Sequence, residues 1–217
     1  MYKLLVFDWD GTLMDSQQEI VSCFQAAARD VNLTVPSVEQ VRNVIGLGMF
    51  EAVHAIYPSL DTREAQQAFV ERYRVYYFSS EKAPSRLFDG VADMLHALVE
   101  QGYFVSVATG KGRRGLNDVL QRTKLDRLFH YTRCVDEAHS KPHPQMLLDT
   151  MDYLGIQAHE ALMIGDTEYD LQMAANAAVD GVAVSCGAHD KNRLIKHNPR
   201  VCLAQTRDLE AWLSGIA

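Results

Sequence analysis

Asp8 and Asp10 stand two residues apart, directly behind the apolar run Leu4-Leu5-Val6-Phe7 and directly before Gly11-Thr12-Leu13. Two carboxylates at this spacing can share a metal ion, or one can act as a nucleophile while the other moves protons. A run of four apolar residues suits a fully buried parallel strand. In open α/β sheets, ligands bind outside the carboxyl ends of the strands. Taken alone, the same residues could equally close a polar turn, where Asp and Gly are common.

Other apolar runs end in the same way. Residues 103–108 lead into Thr109-Gly110-Lys111, and residues 161–164 into Gly165-Asp166-Thr167, with Asp170 just beyond. Lys141-Pro142 lies in the stretch between them. Singly these residues could be a capped turn, a solvated loop and a helix N-cap. Four such signals in order, each at or near a strand end, point instead to one shared site, because independent local features agree.

The elements that must position these residues are legible from hydrophobic spacing. Helical periodicity spans 16–31, then 37–44 with Ser37 as N-cap, 49–56 and 61–80, with no strand expected between 15 and 83. From Leu87 the rhythm changes to helix 90–101, strand 103–108, helix 113–123, strand 130–134, helix 144–154 and strand 161–164. A helix to Ala178, a strand at 181–184 and a C-terminal helix at 206–214 follow. Alternating strands and helices predict an α/β, doubly wound parallel sheet. A small α-helical domain at 15–83 is inserted after the first strand, which leaves 1–14 and 84–217 as the catalytic core.

Bulk properties exclude several classes. A chain of 217 residues with 47% hydrophobic and 23% charged residues suits a globular protein of one or two domains. A net charge of −7 without a long Lys/Arg run argues against nucleic acid as a partner. No apolar stretch approaches the roughly 20 residues that a membrane span needs, and Asp8 interrupts the apolar start, which excludes a signal peptide. Cys23, Cys134, Cys186 and Cys202 are widely separated and read as reduced thiols of a cytoplasmic protein. Of eight histidines only His143 neighbours a motif, so zinc is not expected. A calcium loop starting at Asp8 fails at Leu13, where glycine is required.

With these motifs in place the chain resembles the haloacid-dehalogenase-like superfamily. The resemblance rests on Asp8-x-Asp10-Gly11-Thr12-Leu13, Thr109, Lys141-Pro142 and Gly165-Asp166-Thr167-x-x-Asp170, with the helical insertion resembling that superfamily's small cap. In pattern it is most similar to the phosphoglycolate-phosphatase-like members, through Ile45-Gly46-Leu47-Gly48. The resemblance implies a HAD-like Rossmannoid core and a Mg²⁺-dependent phosphatase acting on a small phosphorylated metabolite, with phosphoglycolate favoured. It implies Asp8 as the nucleophile and Asp10 as the acid/base. Thr109, Gly110 and Lys141 would bind the phosphoryl group. Asp8, the backbone carbonyl of Asp10 and Asp166 would hold Mg²⁺, with Asp170 supporting them from behind.

Within the resemblance, Asp10 argues against carbon–halogen dehalogenation, which needs no proton donor. The absence of lysine from 15–60 argues against Schiff-base chemistry. Gly165, where mutase-like members tend to carry Glu, favours a hydrolase over a phosphosugar mutase of β-phosphoglucomutase type. A catalytically idle binding protein on the same fold is the other alternative. Lys111 could meet an anionic substrate, whereas Arg113 and Arg114 read as a solvated helix face, and Arg42 as a surface residue.

Overall fold

The computed structural model describes residues 1–79 and 85–216. Its centre is β1 (Leu4–Phe7), fully buried along its length. Parallel partners flank it: β4 (Phe104–Thr109) pairs Leu4 with Phe104, and β6 (Ala161–Gly165) pairs Leu4 with Ala161. Two very short strands precede β4, β2 (Met14–Asp15) and β3 (Arg86–Leu87), which pair with each other antiparallel. Beyond β4 lies β5 (Tyr131–Cys134), and beyond β6 lie β7 (Asp180–Val184) and β8 (Cys202–Leu203). The six-stranded order β5-β4-β1-β6-β7-β8 is parallel throughout. The chain leaves β1 in one direction and returns on its other side at β6. Such a switch point opens a crevice at the carboxyl ends of the strands.

Strand alternation sends Leu5 and Phe7 to one face and Leu4 and Val6 to the other. Leu5 and Phe7 join a core with α5 (Val91–Glu100), α6 (Arg113–Thr123) and α10 (Leu209–Ser214). Leu4 and Val6 pack with α7 (Gln145–Leu154) and α8 (Glu168–Asn176). A sheet sealed on both faces can present chemistry only at its ends.

Among the described residues, four helices lie between β2 and β3: α1 (Gln17–Asp30), α2 (Val38–Arg42), α3 (Met49–Ile56) and α4 (Arg63–Tyr77). They build their own hydrophobic cluster. Phe24 and Phe69, each 1% exposed, meet at 4.6 Å between ring centroids. Burial of each is worth about 1.5–3 kcal/mol. Ser37 closes a capping box on Gln40, as its N-cap reading required.

The helices fall within a few residues of expectation, and the departures lie in very short elements. Asp15 pairs with Arg86, so β2 crosses the expected boundary at 14/15, and the 15–83 stretch is not free of strand. The expected boundary at 83/84 lies outside the described residues. Strand β8 and the four-residue α9 (Lys191–Leu194) are too short to carry a periodic signal. Among the described residues no helix is long and apolar enough to cross a membrane.

Candidate active site

Asp8 follows the last residue of β1, where its N–H bonds the Ile164 carbonyl of β6 at 2.9 Å. The side chain is 1% exposed and receives the Lys141 ammonium on Oδ1 at 2.7 Å. Lys141, itself fully buried, donates at 2.6 Å to Oδ1 of Asp170 as well. Burial alone would lower the Lys141 pKa, but Asp170 and Asp8 outweigh it and hold the ammonium charged. Burial is also the largest influence on Asp8, whose carboxyl is pushed up to about 7 despite Lys141, with Asp170 and Asp10 adding to the rise.

Asp166 sits one residue past β6. Its Oδ1 accepts from the Thr12 hydroxyl and its Oδ2 from the Ala188 N–H, each at 2.7 Å. Burial, then Asp8 and Asp170, hold its carboxyl well above the usual range. Gly11 has φ +86, and a Cβ there would strike the Asp166 carboxylate, so the motif's glycine serves both the turn and the close approach. Asp170 is fixed from its own helix: Oδ2 accepts from the Thr167 N–H at 3.0 Å and from the Thr167 hydroxyl at 2.7 Å.

Carboxylate oxygens of Asp8, Asp166 and Asp170 lie within 4.8 Å of one another. Among the described residues, Lys141 is the one cation bonded to this cluster, and Oδ2 of Asp8 is buried without a hydrogen-bond partner. Three buried carboxylates against one ammonium leave negative charge that a low-dielectric site must balance. An orphaned oxygen and an all-oxygen donor set fit a hard divalent cation.

Asp10 is turned toward the helical block by a tight loop in which the Gly11 N–H bonds the Met14 carbonyl at 2.8 Å. Its Oδ1 accepts from the Ser16 hydroxyl at 2.7 Å, and its Oδ2 lies 2.8 Å from the Lys111 ammonium. Lys111 Nζ also donates to the Tyr77 hydroxyl at 2.7 Å, at the end of α4. Burial alone would lower the Lys111 pKa, whereas Asp10 and then Tyr77 raise it. Thr109 is buried at the end of β4, and its Oγ1 accepts from the Lys111 N–H at 3.1 Å.

The helical block closes over this floor through the loop 46–48. The Gly48 N–H donates to Ser140 Oγ at 2.8 Å, and a Cβ on Gly110 would come within 2.6 Å of the Gly46 and Leu47 carbonyl oxygens. Arg42 reaches across to the carbonyls of Gly187 and Ala188 at 3.3 and 3.1 Å. It therefore ties helical block to core, although its position alone reads as surface. Between block and floor lies a cavity of about 410 Å³ reached by Asp8, Asp10, Thr109 and Gly110.

Every motif residue singled out from sequence thus lies at one end of the sheet. Sequence reasoning missed the Lys111 pairing. Its place directly after Thr109-Gly110 is the available signal, since Tyr77 lies far away in the chain. Arg113 is likewise no free solvated side chain, because its guanidinium bonds Glu137 and Thr132.

A strand-end aspartate pair, a buried lysine and a third strand-end aspartate on a parallel sheet have a counterpart among known enzymes. A family model for haloacid dehalogenase-like hydrolases matches residues 5–184, and the chain belongs to that family. It is 35% identical over 204 residues to "Probable phosphatase IndB" of Dickeya dadantii (strain 3937), covering 93% of this chain and 89% of that one. It is 27% identical over 213 residues to "Pyrophosphatase PpaX" of Bacillus cereus (strain G9842), covering 98% and 96%. The fold superimposes with a TM-score of 0.87 on a structure described as a predicted phosphoglycolate phosphatase from Haemophilus somnus 129PT, at 25% identity and 98% coverage of both chains.

Proposed function

We propose that the protein is a Mg²⁺-dependent, cytoplasmic phosphatase that hydrolyses a small phosphorylated metabolite through an aspartyl-phosphate on Asp8. In this reading residues 15–83 are a cap over a catalytic core formed by 1–14 and 84–217. The observation that carries it is the buried Asp8 carboxylate, held on one oxygen by Lys141 and unpartnered on the other. Names of relatives as phosphatases and as a pyrophosphatase support the same class of chemistry.

Asp8, the Asp10 backbone carbonyl and Asp166 would hold Mg²⁺, with Asp170 steadying Lys141. Bound there, the ion would neutralise charge on the carboxylates and the phosphoryl group. The Asp8 carboxylate attacks phosphorus while the bond to the leaving alkoxide breaks, and Asp10 gives that alkoxide its proton. Asp10 then takes a proton from water as the water attacks the aspartyl-phosphate, releasing inorganic phosphate and restoring Asp8. Thr109 accepts the Lys111 N–H, which leaves its hydroxyl proton for a phosphoryl oxygen beside the Gly110 N–H. Lys141 offsets charge on nucleophile and phosphoryl group together. The cap excludes bulk water while the acyl phosphate exists.

Gly165, where mutase-like members tend to carry Glu, favours hydrolysis over the alternative of a phosphosugar mutase. The test is p-nitrophenyl phosphate with Mg²⁺: phosphate is released, Asp8→Asn abolishes release, and EDTA suppresses it. Turnover insensitive to both changes would overturn the mechanism. Phosphoglycolate, favoured by the resemblance, is the reference substrate.

A further inference from the structure

The cavity over Asp8 is larger and less polar than phosphoglycolate requires. At about 410 Å³ it falls within the roughly 300–1,000 Å³ of ordinary small-molecule pockets, more space than a two-carbon acid fills. The volume belongs to a seated cap, because the Gly46 and Leu47 carbonyls already rest against Gly110 and Arg42 already bonds the core. Its cap-side wall is mainly apolar and aromatic, with Val44, Met49, Phe50 and Tyr73, and it also carries Glu51, Arg63 and Arg74. The apolar members cannot hydrogen-bond a carboxylate except through the Tyr73 hydroxyl, and a carboxylate pressed against them would lose its water without compensation.

Among the described residues, Lys111, Arg63, Arg74 and Arg114 line the cavity. Lys111 is engaged by Asp10 and Tyr77. The Arg63 guanidinium lies 4.6 Å from the Phe50 ring centre, and that of Arg114 4.3 Å from Phe78. Arg63, Arg74 and Arg114 are all exposed, which places their charge toward the cavity mouth. The site therefore offers phosphate chemistry at its floor, an aromatic belt above it and cationic side chains toward its mouth. Aromatic walls favour planar rings, through buried area and through edge or offset stacking.

Resting on the phosphatase reading above, we propose that the leaving alcohol carries a planar aromatic or heteroaromatic ring and that the substrate approaches nucleoside monophosphate size. The ring would lie against Met49, Phe50 and Tyr73. The reaction that supplies this substrate must then be one that leaves a phosphate on a ring-bearing alcohol.

The experiment compares kcat/KM for five compounds at fixed Mg²⁺: acetyl phosphate, phosphoglycolate, ribose 5-phosphate, benzyl phosphate and a nucleoside 5′-monophosphate, the last four all leaving as alkoxides. The expected result is a preference of at least tenfold for benzyl phosphate or the nucleotide over both phosphoglycolate and ribose 5-phosphate. Benzyl phosphate leading would mean that the ring alone is read; the nucleotide leading would mean that ring and ribose are read together. Phosphoglycolate or ribose 5-phosphate matching the ring-bearing esters would overturn the inference while leaving the phosphatase reading intact. Failure to hydrolyse acetyl phosphate or any ester would instead strike the phosphatase reading. Met49→Trp, which fills the belt, should lower the ratio of ring-ester to acetyl phosphate kcat/KM at least tenfold, and Phe50→Ala should lower it in the same direction. An unchanged ratio in both folded variants would also overturn the inference.

Discussion

Lys111 Nζ lies 2.8 Å from Asp10 Oδ2 and 2.7 Å from the Tyr77 hydroxyl. A cation from the loop after β4 thereby ties the second carboxylate of the first motif to α4, the last helix of the inserted block. Asp10 is held on its other oxygen by Ser16, so its position depends on Lys111 and Ser16 together, and through Lys111 on where α4 sits. Tyr77→Phe removes the hydroxyl that accepts from the charged Lys111 ammonium while keeping the ring. A bond to a charged group is worth about 1.5–3 kcal/mol, but the Lys111–Asp10 pair stays in place, and the expected loss in kcat/KM is roughly two- to tenfold. Lys111→Met removes a charged contact worth about 1.5–3 kcal/mol, for an expected loss of roughly ten- to hundredfold. Steady-state kinetics with p-nitrophenyl phosphate at saturating Mg²⁺ ranks the two. A larger loss in Tyr77→Phe than in Lys111→Met would contradict the arrangement.

Lys141 joins Asp8 and Asp170 with both partners fully buried. Lys141→Met leaves two carboxylates without their ammonium in a dry site. Breaking a buried pair from one side costs about 3–5 kcal/mol. Urea unfolding of the metal-free variant should show a loss of that order. Excess Mg²⁺ should recover part of it, because a divalent cation can neutralise the same carboxylates. Phosphatase activity should not return with it, since the charge at the Lys141 position is gone. A variant as stable as the parent without metal would mean that the buried charges are balanced in some other way.

Most of this site was legible because each motif residue sits at or just beyond the end of an apolar run, and a strand end is a local signal. Asp8, Thr109 and Asp166 needed only the rule that parallel strands deliver their ligands at one edge. Lys141 lies in a loop and was recognisable through its motif. The Lys111–Tyr77 contact spans 34 residues, across β3, α5 and β4, and no periodicity encodes it. Arg42 illustrates the converse: its exposure agrees with an ordinary surface arginine, yet its bonds to the Gly187 and Ala188 carbonyls arise only when the α2 end docks on the core. The same limit applies to β2 and β3, two residues each, whose pairing is fixed by tertiary closure and not by propensity.

Metal binding should depend on pH in a stated direction. Burial pushes the Asp8 carboxyl up to about 7 in the metal-free fold, against an ordinary value of 3.8. Between those values the folded protein carries a proton that the unfolded chain has released. The contribution of this group to metal-free stability therefore falls as pH rises from about 4 to about 7. A cation binds the ionised carboxylate and displaces that proton. The gain in Tm on adding Mg²⁺ should accordingly be larger at pH 8 than at pH 6, and calorimetry near pH 6.5 should detect proton release on binding. A Mg²⁺-induced gain that is the same at both pH values, with no proton release, would remove Asp8 from the metal site.

Glu168 opens α8 beside Asp166 and is paired with Arg193, whose guanidinium also reaches the Asn43 side chain of the cap at 2.7 Å. The Arg193 hydrogen bonds hold the Glu168 carboxyl down to about 2. A depressed carboxylate contributes stability that is present above its unfolded value of 4.5 and is lost as pH falls toward about 2. The pair is partly solvated, so its worth is about 0.5–1 kcal/mol. Glu168→Gln should lower stability by that amount at pH 7 and by progressively less between pH 4.5 and pH 2, measured as the difference in chemical denaturation midpoint. A difference that grows on acidification would have the wrong sign for this pairing.

Gly110 tests whether the seated cap is the working state. A Cβ at this position would stand 2.6 Å from the carbonyl oxygens of both Gly46 and Leu47. Those are backbone atoms, which cannot rotate aside as a side chain can, so Gly110→Ala must push the loop 46–48 off the core. The core hydrophobic clusters lie elsewhere and are untouched. Displacements of about 1 Å near reacting groups can cost on the order of a hundredfold in rate. Gly110→Ala should therefore lose at least tenfold in kcat/KM for p-nitrophenyl phosphate while its thermal unfolding midpoint stays within a few degrees of the parent. Small-angle scattering should show a slightly more extended particle. Full activity in the variant would mean that turnover does not need the Gly46–Gly48 loop against the floor, and the 410 Å³ cavity would no longer define the space a substrate occupies.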